Sequence, residues 1–335
     1  MTGTVGTTGA ARGSAGRPAR SWLRPRVVLR VACLLALAGV AALLVVRFAG
    51  LDDGTYLAIP VSGLPYVAAV SVVLLLVTLP LRSPALVLTA LALVVVQLAL
   101  LTPRFVADGT DIPPEAPTLR VATSNTLRGG ADPHALVDLV REQRIDVLAV
   151  QEFTSHDAVR ALDDAGMWEL MPYRELHPEI DTSIYSRLPL RDAGLLDAPT
   201  TWPQTAATAR VGGRDVRLVA VHLYYPYGDP GRWARDLAAL RGAAGPDVVL
   251  LGDFNATLDH TPMRELLAGG LTDAHAELGH GWAPTWPARG TFPPLLQLDH
   301  VLYGSGLAAV SVSEHVVPGT DHHAVVAELA VLPRG

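Results

Sequence analysis

Three apolar runs near the N-terminus constrain this chain more than any other feature. Val31 to Val46, Leu64 to Leu81 and Ala85 to Leu101 contain no Asp, Glu, Lys or Arg, and Gln97 is the only strongly polar residue of the last. One such run could be a helix buried in a soluble core. Three of them, joined by short polar loops and each close to the roughly 20 residues needed to cross a bilayer, read as membrane spans. Arg30 and Arg47 bracket the first run and can snorkel, which lengthens its reach. The composition agrees: 50% hydrophobic, only 17% charged and a mean hydropathy of +0.32 are apolar for a soluble protein. No small-residue cleavage site precedes Arg47 and two further runs follow, so a retained helix is favoured over a signal peptide.

Charge sets the expected orientation. Arg12, Arg17, Arg20, Arg24, Arg26 and Arg30 lie in a leading segment without Asp or Glu. Residues 1–26 are therefore predicted to be a disordered basic tail kept in the cytoplasm. Residues 27–101 form the anchor, with Asp52 and Asp53 outside and Arg82 returning inside. Three crossings place everything after Leu101 outside the cytoplasm, in a multi-pass protein of the plasma membrane. The spans carry no charge of their own, which gives a transport role little support. Cys33 is the only cysteine and falls in the first run, so disulfides and a multi-cysteine zinc site are excluded within the chain.

Residues 102–117, with Pro103, Pro113, Pro114 and Pro117, read as a semi-rigid linker. From Thr118 the texture becomes short apolar runs alternating with helical patterns, and 118–335 is predicted to be one α/β domain. Strands are expected at 119–124, 146–150, 181–186, 206–211, 214–221, 248–252, 298–303, 308–317 and 324–331. Helices are expected at 133–143, with Asp132 as N-cap, and at 230–242 and 262–267.

Polar residues repeatedly close these strands: Asn125, Glu152, His222, Asp253 with Asn255, Asp299, and Asp321 with His322. Each alone is an ordinary turn residue. Together they matter, because strand ends on one side of a sheet converge. If the chain stays extended, Asp253 and Asn255 share a face and offer an acceptor beside a donor. A set of acids, an amide and imidazoles without cysteine suits a hard cation, Mg²⁺ first, with Mn²⁺ or Ca²⁺ as alternatives.

These residues fall in blocks: Val121-Ala-Thr-Ser-Asn125, Asp146-Val-Leu-Ala-Val-Gln-Glu152, Val219-Ala-Val-His222, Leu251-Gly-Asp-Phe-Asn255, Leu298-Asp-His-Val-Leu302 and Thr320-Asp-His322. In order and spacing, segment 119–331 resembles the endonuclease/exonuclease/phosphatase superfamily. The resemblance implies a DNase I-like two-sheet α/β sandwich, here preceded by three transmembrane helices. It also implies roles. Glu152, helped by Asn125, would hold the metal, with Asp321 close to it. Asp253 would position or deprotonate the attacking water, and Asn255 would bind phosphoryl oxygens. His322, oriented by Asp299, would stabilise the transition state. His222 stands where the lipase and phosphatase branches tend to have His and the DNA-repair branch Tyr. Neighbours in a strand face opposite ways, so only one of His322/His323 and one of Asp299/His300 should enter the site.

Weaker candidates have structural readings. Asp273 is a helix cap or a supporting acid, and Trp282, Trp286 and Phe292 either rim the site or pin their loop. Arg187 belongs to a turn, and His134, His156, His177, His260, His275, His280 and His315 to surface or packing.

From Arg104 onward, 18 Arg face 30 Asp and Glu, a balance of about −12. Nonspecific nucleic-acid affinity comes mostly from phosphate neutralisation, so tight duplex binding is disfavoured. The expected activity is metal-dependent hydrolysis of phosphodiester or phosphomonoester bonds, on lipid head groups or small phosphodiesters. The alternatives are an extracytoplasmic nuclease and a non-catalytic, membrane-tethered binding module. The expected partners are the bilayer and a phosphoester substrate; no protein partner is indicated.

Overall fold

The computed structural model describes residues 2–3, 25–290 and 292–333. The tail expected over 1–26 lies outside the described residues except for 2–3 and the first two helical positions, Pro25 and Arg26. The N-terminal part holds α1 (Pro25–Phe48), α2 (Ala58–Val61), α3 (Leu64–Thr78) and α4 (Pro84–Leu101). Short 3₁₀ turns, Leu79–Leu81 and Thr102–Phe105, extend α3 and α4. Three helical spans, Pro25–Phe48, Leu64–Leu81 and Pro84–Phe105, are long and apolar enough to cross a membrane, with mean hydropathies of 2.6, 2.3 and 2.5.

Small and aliphatic side chains such as Cys33, Leu37 and Ala90 fill the seam between these helices, while Leu35, Val73 and Leu88 are exposed on the outside. An apolar surface all round a bundle is what a lipid solvent permits and water does not. The one strongly polar residue of α4 finds a partner inside: Gln97 Nε2 donates to Ser71 Oγ of α3 at 2.7 Å. At one end of the bundle Arg30 donates to the Leu81 carbonyl. The opposite end, carrying Arg47 and Asp52, meets the domain that follows.

That domain is an α/β sandwich of two mixed six-stranded sheets. In chain order it comprises β1 (Thr118–Asn125), α5 (Pro133–Glu142), β2 (Val147–Gln151), α6 (His156–Asp164), α7 (Met167–Leu170), β3 (Tyr173–Leu176), β4 (Ser183–Ser186) and β5 (Leu190–Leu195). It continues with β6 (Thr205–Val211), β7 (Arg214–His222), α8 (Pro230–Leu240), β8 (Val248–Asp253), α9 (Thr261–Ala268), β9 (Leu271–Asp273), α10 (Ala274–Glu277), β10 (Asp299–Gly304), β11 (Leu307–Val316) and β12 (His323–Val331). The first sheet runs β11-β12-β1-β2-β4-β3 and the second β5-β6-β7-β8-β10-β9.

Each sheet has one parallel pair at its middle, β1–β2 and β7–β8, joined by the crossovers that contain α5 and α8. These strands are apolar on both faces because both faces are covered. Val121, Leu218 and Leu251 pack between the sheets. Leu148 and Val150 lie under α5–α7, and Val219 and Leu250 under α8 and α9. Asp132 caps α5 as expected, its Oδ1 accepting from the amides of His134 and Ala135 at 2.9 and 3.2 Å.

The topology assembles a site at one end. β1, β2, β7 and β8 all finish there, and the antiparallel strands β10 and β12 begin there, so Asn125 pairs with Gln151, and Asp253 with both His222 and Asp299. Gly252 makes this corner possible. Its φ is +154°, and a Cβ there would lie 1.8 Å from the Val221 carbonyl oxygen.

Candidate active site

The structure brings the sequence-selected residues to one cavity of about 880 Å³. Glu152, His222, Asp253, Asn255, Asp321 and His322 line it. Asn125 and Asp299 are buried just behind this wall.

Asp253 is the hub. Its Oδ1 accepts the Asn255 amide at 2.8 Å, which is the ordinary turn that Asp favours at a strand end. Its Oδ2 accepts from Asn125 Nδ2 at 3.1 Å and lies 3.7 Å from His322 Nε2 and 3.9 Å from His222 Nε2. The turn and the site are thus one device, with one oxygen for each. Asn255 does not continue the strand: its φ is +49° and its Nδ2 donates to the Leu223 carbonyl at 3.0 Å. The extended geometry expected over 253–255 gives way because the chain must leave the sheet at this point.

Both imidazoles are held from behind by a carboxylate. His322 Nδ1 lies 2.8 Å from Asp299 Oδ2, and His222 Nδ1 lies 2.5 Å from Asp181 Oδ2. With Nδ1 so engaged, each Nε2 points towards Asp253. Burial would lower the pKa of His322, but the charges of Asp299 and Asp253 and the Asp299 hydrogen bond outweigh it and lift the group to about 10. Burial likewise opposes protonation of His222, and Asp181, Asp253 and Glu152 together overcome it, so its pKa is also raised. For Asp253 burial is the largest influence and raises the carboxyl, while the two imidazoles pull it down.

Asn125 bridges the hub to Glu152, donating from Nδ2 to Glu152 Oε1 at 3.3 Å, and its Oδ1 accepts the Leu127 amide at 3.0 Å. Glu152 follows β2 in a left-handed conformation, φ +52°, which is costly for a residue of this kind. Its Oε2 accepts the Arg128 amide at 3.1 Å. Thr320 Oγ1 donates to the Asn125 carbonyl at 2.7 Å, so the Thr320-Asp-His322 segment braces β1 as it delivers His322.

The paired residues divide as strand alternation requires. His300 points away from Asp299 into packed structure, with Asp273 Oδ2 on Nδ1 at 2.8 Å and the Ala256 carbonyl on Nε2 at 2.9 Å. Asp273 also caps α10 through the Ala276 amide. His323 is half-buried and does not reach the cavity. Trp286 lines the cavity, with its Nε1 3.4 Å from Asp321 Oδ2, whereas Phe292 is exposed and Trp282 packs on Tyr66.

Two residues were not singled out from sequence. Asp181 precedes β4, and its carbonyl accepts the Phe153 amide at 2.9 Å, which ties it to the turn at Glu152. An acid heading a strand next to β2 was the available signal. Trp202 lies against the His222 ring at 4.7 Å, and the aromatic run Tyr224-Tyr225 beside it was a fainter hint.

The donor chemistry fits a divalent cation. Glu152 and Asp321 place hard carboxylate oxygens on the cavity wall, and Asn125 orients Glu152. Asp253, Asp299 and His322 also bring candidate ligand atoms within 4.8 Å of one another. Within that cluster His322 Nδ1 and Asp299 Oδ2 are hydrogen-bonded to each other.

The sandwich and its strand-end site define a phosphoesterase scaffold. The chain belongs to the Endonuclease/Exonuclease/phosphatase family, whose model matches residues 122–322. Members of this family are hydrolases that act on phosphoester bonds. Among solved structures, an endonuclease/exonuclease/phosphatase from Beutenbergia cavernae matches at 19% identity and TM-score 0.50, covering 64% of this chain and 72% of that one. Humanized D. rerio TDP2 carrying 14 mutations matches at 16% identity and TM-score 0.50, covering 64% of this chain and 99% of that one. At these identities the likeness is one of fold. No curated protein matches the chain.

Proposed function

We propose that this chain is a membrane-anchored, divalent-metal-dependent phosphoesterase, with Mg²⁺ the favoured ion, acting outside the cytoplasm on lipid head groups or small phosphodiesters. The observation that carries this reading is the convergence of two Asp–His pairs on Asp253, beside the cavity-lining Glu152 and with Asn125 bridging the two from behind. Glu152, with Asp321 near it, would hold the cation, which supplies charge neutralisation on the non-bridging phosphoryl oxygens.

The protein groups do the rest. Asp253, raised by burial, is suited to orient an attacking water and take its proton. His322 and His222 present N–H groups where negative charge builds on phosphorus-bound oxygens, and Asp299 and Asp181 fix the orientation of their rings. Asn255 completes the phosphoryl cradle on the same wall.

The acidic balance after Arg104 favours small or lipid phosphoesters over nucleic acid. The arginine-rich leading segment, with Arg30 and Arg82 at the end of the bundle away from the domain, supports an extracytoplasmic site. The test is a substrate panel on the full chain in bilayer discs with Mg²⁺. Phospholipids and bis(4-nitrophenyl) phosphate should be hydrolysed and plasmid DNA spared. Rapid plasmid nicking that disappears in Asp253→Asn would replace this reading with a nuclease.

A further inference from the structure

The catalytic cavity is not walled by the α/β domain alone. Ala58, Ile59 and Ser62, all from the connector between the first two membrane-spanning helices, are among the residues that line it. This contact is built in. Ala58 is fully buried in the same core as Trp233, Phe254 and Met263 of the domain, whereas Val61, three residues on, is buried in the core of the helix bundle. Asp52 accepts from the Thr261 amide and hydroxyl at 2.7 and 2.6 Å. His260 receives the Thr257 amide on Nδ1 at 2.8 Å, so its Nε2 carries the proton and donates to the Ala58 carbonyl at 2.9 Å.

The wall that the connector forms is apolar, and it stands at the edge of the membrane spans. Ser62 lines the cavity and α3 begins at Leu64. Ile59 is 42% exposed, and Leu295 and Trp282 are exposed nearby on the domain side. Tyr66 of α3 donates its hydroxyl to the Leu295 carbonyl at 2.7 Å and packs edge-on against Trp282, ring centres 5.1 Å apart. Tyr and Trp at this level are typical of the membrane–water boundary. The cavity is also far larger than a phosphoester group needs; pockets of roughly 300–1,000 Å³ hold drug-sized ligands.

On the reading that this is a phosphoesterase, we infer that the anchor is part of the substrate site: Ile59 of α2, seated by the buried Ala58, forms with Trp286 and Leu296 a subsite for the hydrocarbon tail of an amphiphilic phosphoester that enters from the leaflet in which the anchor stands. The polar head meets Asp253, His222 and His322, and the tail leaves along α2 towards the acyl region. A soluble polyanion gains nothing from this wall.

The test uses the full chain in bilayer discs with Mg²⁺ and measures inhibition of bis(4-nitrophenyl) phosphate hydrolysis by ethyl, octyl and hexadecyl phosphate. Wild type should bind octyl phosphate on the order of a hundredfold more tightly than ethyl phosphate, the gain from burying about three to four of its extra methylenes at about fourfold each. In Ile59→Glu that gain should shrink about tenfold, and Ile59→Ala should fall between. Partition into the bilayer is common to all three proteins, so the difference between them reports the wall itself. Equal chain-length gains in wild type and Ile59→Glu, with the soluble ester still hydrolysed, would overturn the tail subsite and leave the phosphoesterase standing. Failure of folded, metal-loaded wild type to hydrolyse any ester would instead sink the proposed function. If Ile59→Glu does not fold, the Ile59→Ala comparison decides.

Discussion

His322 reaches Asp253 only because Asp299 holds it from the other side: Nδ1 is 2.8 Å from Asp299 Oδ2, and Nε2 is 3.7 Å from Asp253 Oδ2. Asp299 is fully buried, and its Oδ1 has no hydrogen-bond partner among the described residues. Its value therefore lies in the imidazole it orients. Asp299→Asn should lower kcat by roughly 10²–10⁴-fold, the range typical of a proton-transferring or charge-stabilising group, with little change in KM. Circular dichroism should be that of wild type. A variant with wild-type kcat would show that the pair is structural.

Asp253→Asn should be at least as damaging. The substitution can keep the turn to the Asn255 amide, but it sets an amide NH₂ against Asn125 Nδ2, which now donates to Asp253 at 3.1 Å. Activity should fall by about 10³-fold or more, while the melting temperature moves by only a few degrees. Single-turnover kinetics with saturating metal would separate this from a binding defect.

Chelation should abolish hydrolysis and added Mg²⁺ should restore it. Glu152→Gln keeps the shape of the side chain and its reach to Asn125 but removes the charge. The metal concentration giving half-maximal activity should rise by more than about tenfold. Activity that survives exhaustive chelation would remove the cation from the mechanism.

Asp259 joins the helical bundle to the α/β domain. Arg104 grips it with two nitrogens at 3.0 and 2.8 Å, and Arg47 approaches at 3.2 Å. Burial would raise this carboxyl, but the charges and hydrogen bonds of Arg104 and then Arg47 outweigh it and hold the group below its usual 3.8. A depressed carboxylate stabilises the folded state above its unfolded pKa, and the contribution fades as pH falls through the folded value. The clasp should thus be intact at neutral and mildly acidic pH and weaken only below about pH 3.8. Asp259→Ala leaves two arginines without their acceptor and should cost about 3–5 kcal/mol. Thermal unfolding against pH checks both points: the gap between wild type and variant should close on the acid side, and a gap independent of pH would contradict the assignment.

Gly252→Ala should prevent folding or cost more than about 4 kcal/mol, because its Cβ would collide with the Val221 carbonyl inside a parallel strand pair. Soluble, active protein from this variant would mean that β7 and β8 can separate without harm to the His222–Asp253 register.

Much of this fold is legible in the sequence, and for physical reasons. Strands such as β7 and β8 are covered on both faces and so appear as unbroken apolar runs, and the residue closing each run falls at the site end. The strands that escape notice lie at sheet edges: β3 as Tyr-Arg-Glu-Leu and β5 as Leu-Arg-Asp-Ala-Gly-Leu carry too much polar character to stand out, and β9 is only three residues long. Asp181 is hidden because its partner, His222, lies 41 positions away, and no local pattern marks an acid that will sit behind an imidazole. Asp52 is the sharpest case. By charge it is simply an outward-facing loop residue, yet it is fully buried on Thr261, 209 positions downstream.

α2 gives Ala58 to one hydrophobic core and Val61 to another, and this bears on how such a protein could arise. A hydrolase fused to an unrelated membrane tail would inherit a charged Asp259 with no arginines, a Thr261 amide with no acceptor and a His260 with no carbonyl to meet. Exchanging the helices alone would leave residues 259–261 without the partners that Arg47, Arg104, Ala58 and Asp52 supply.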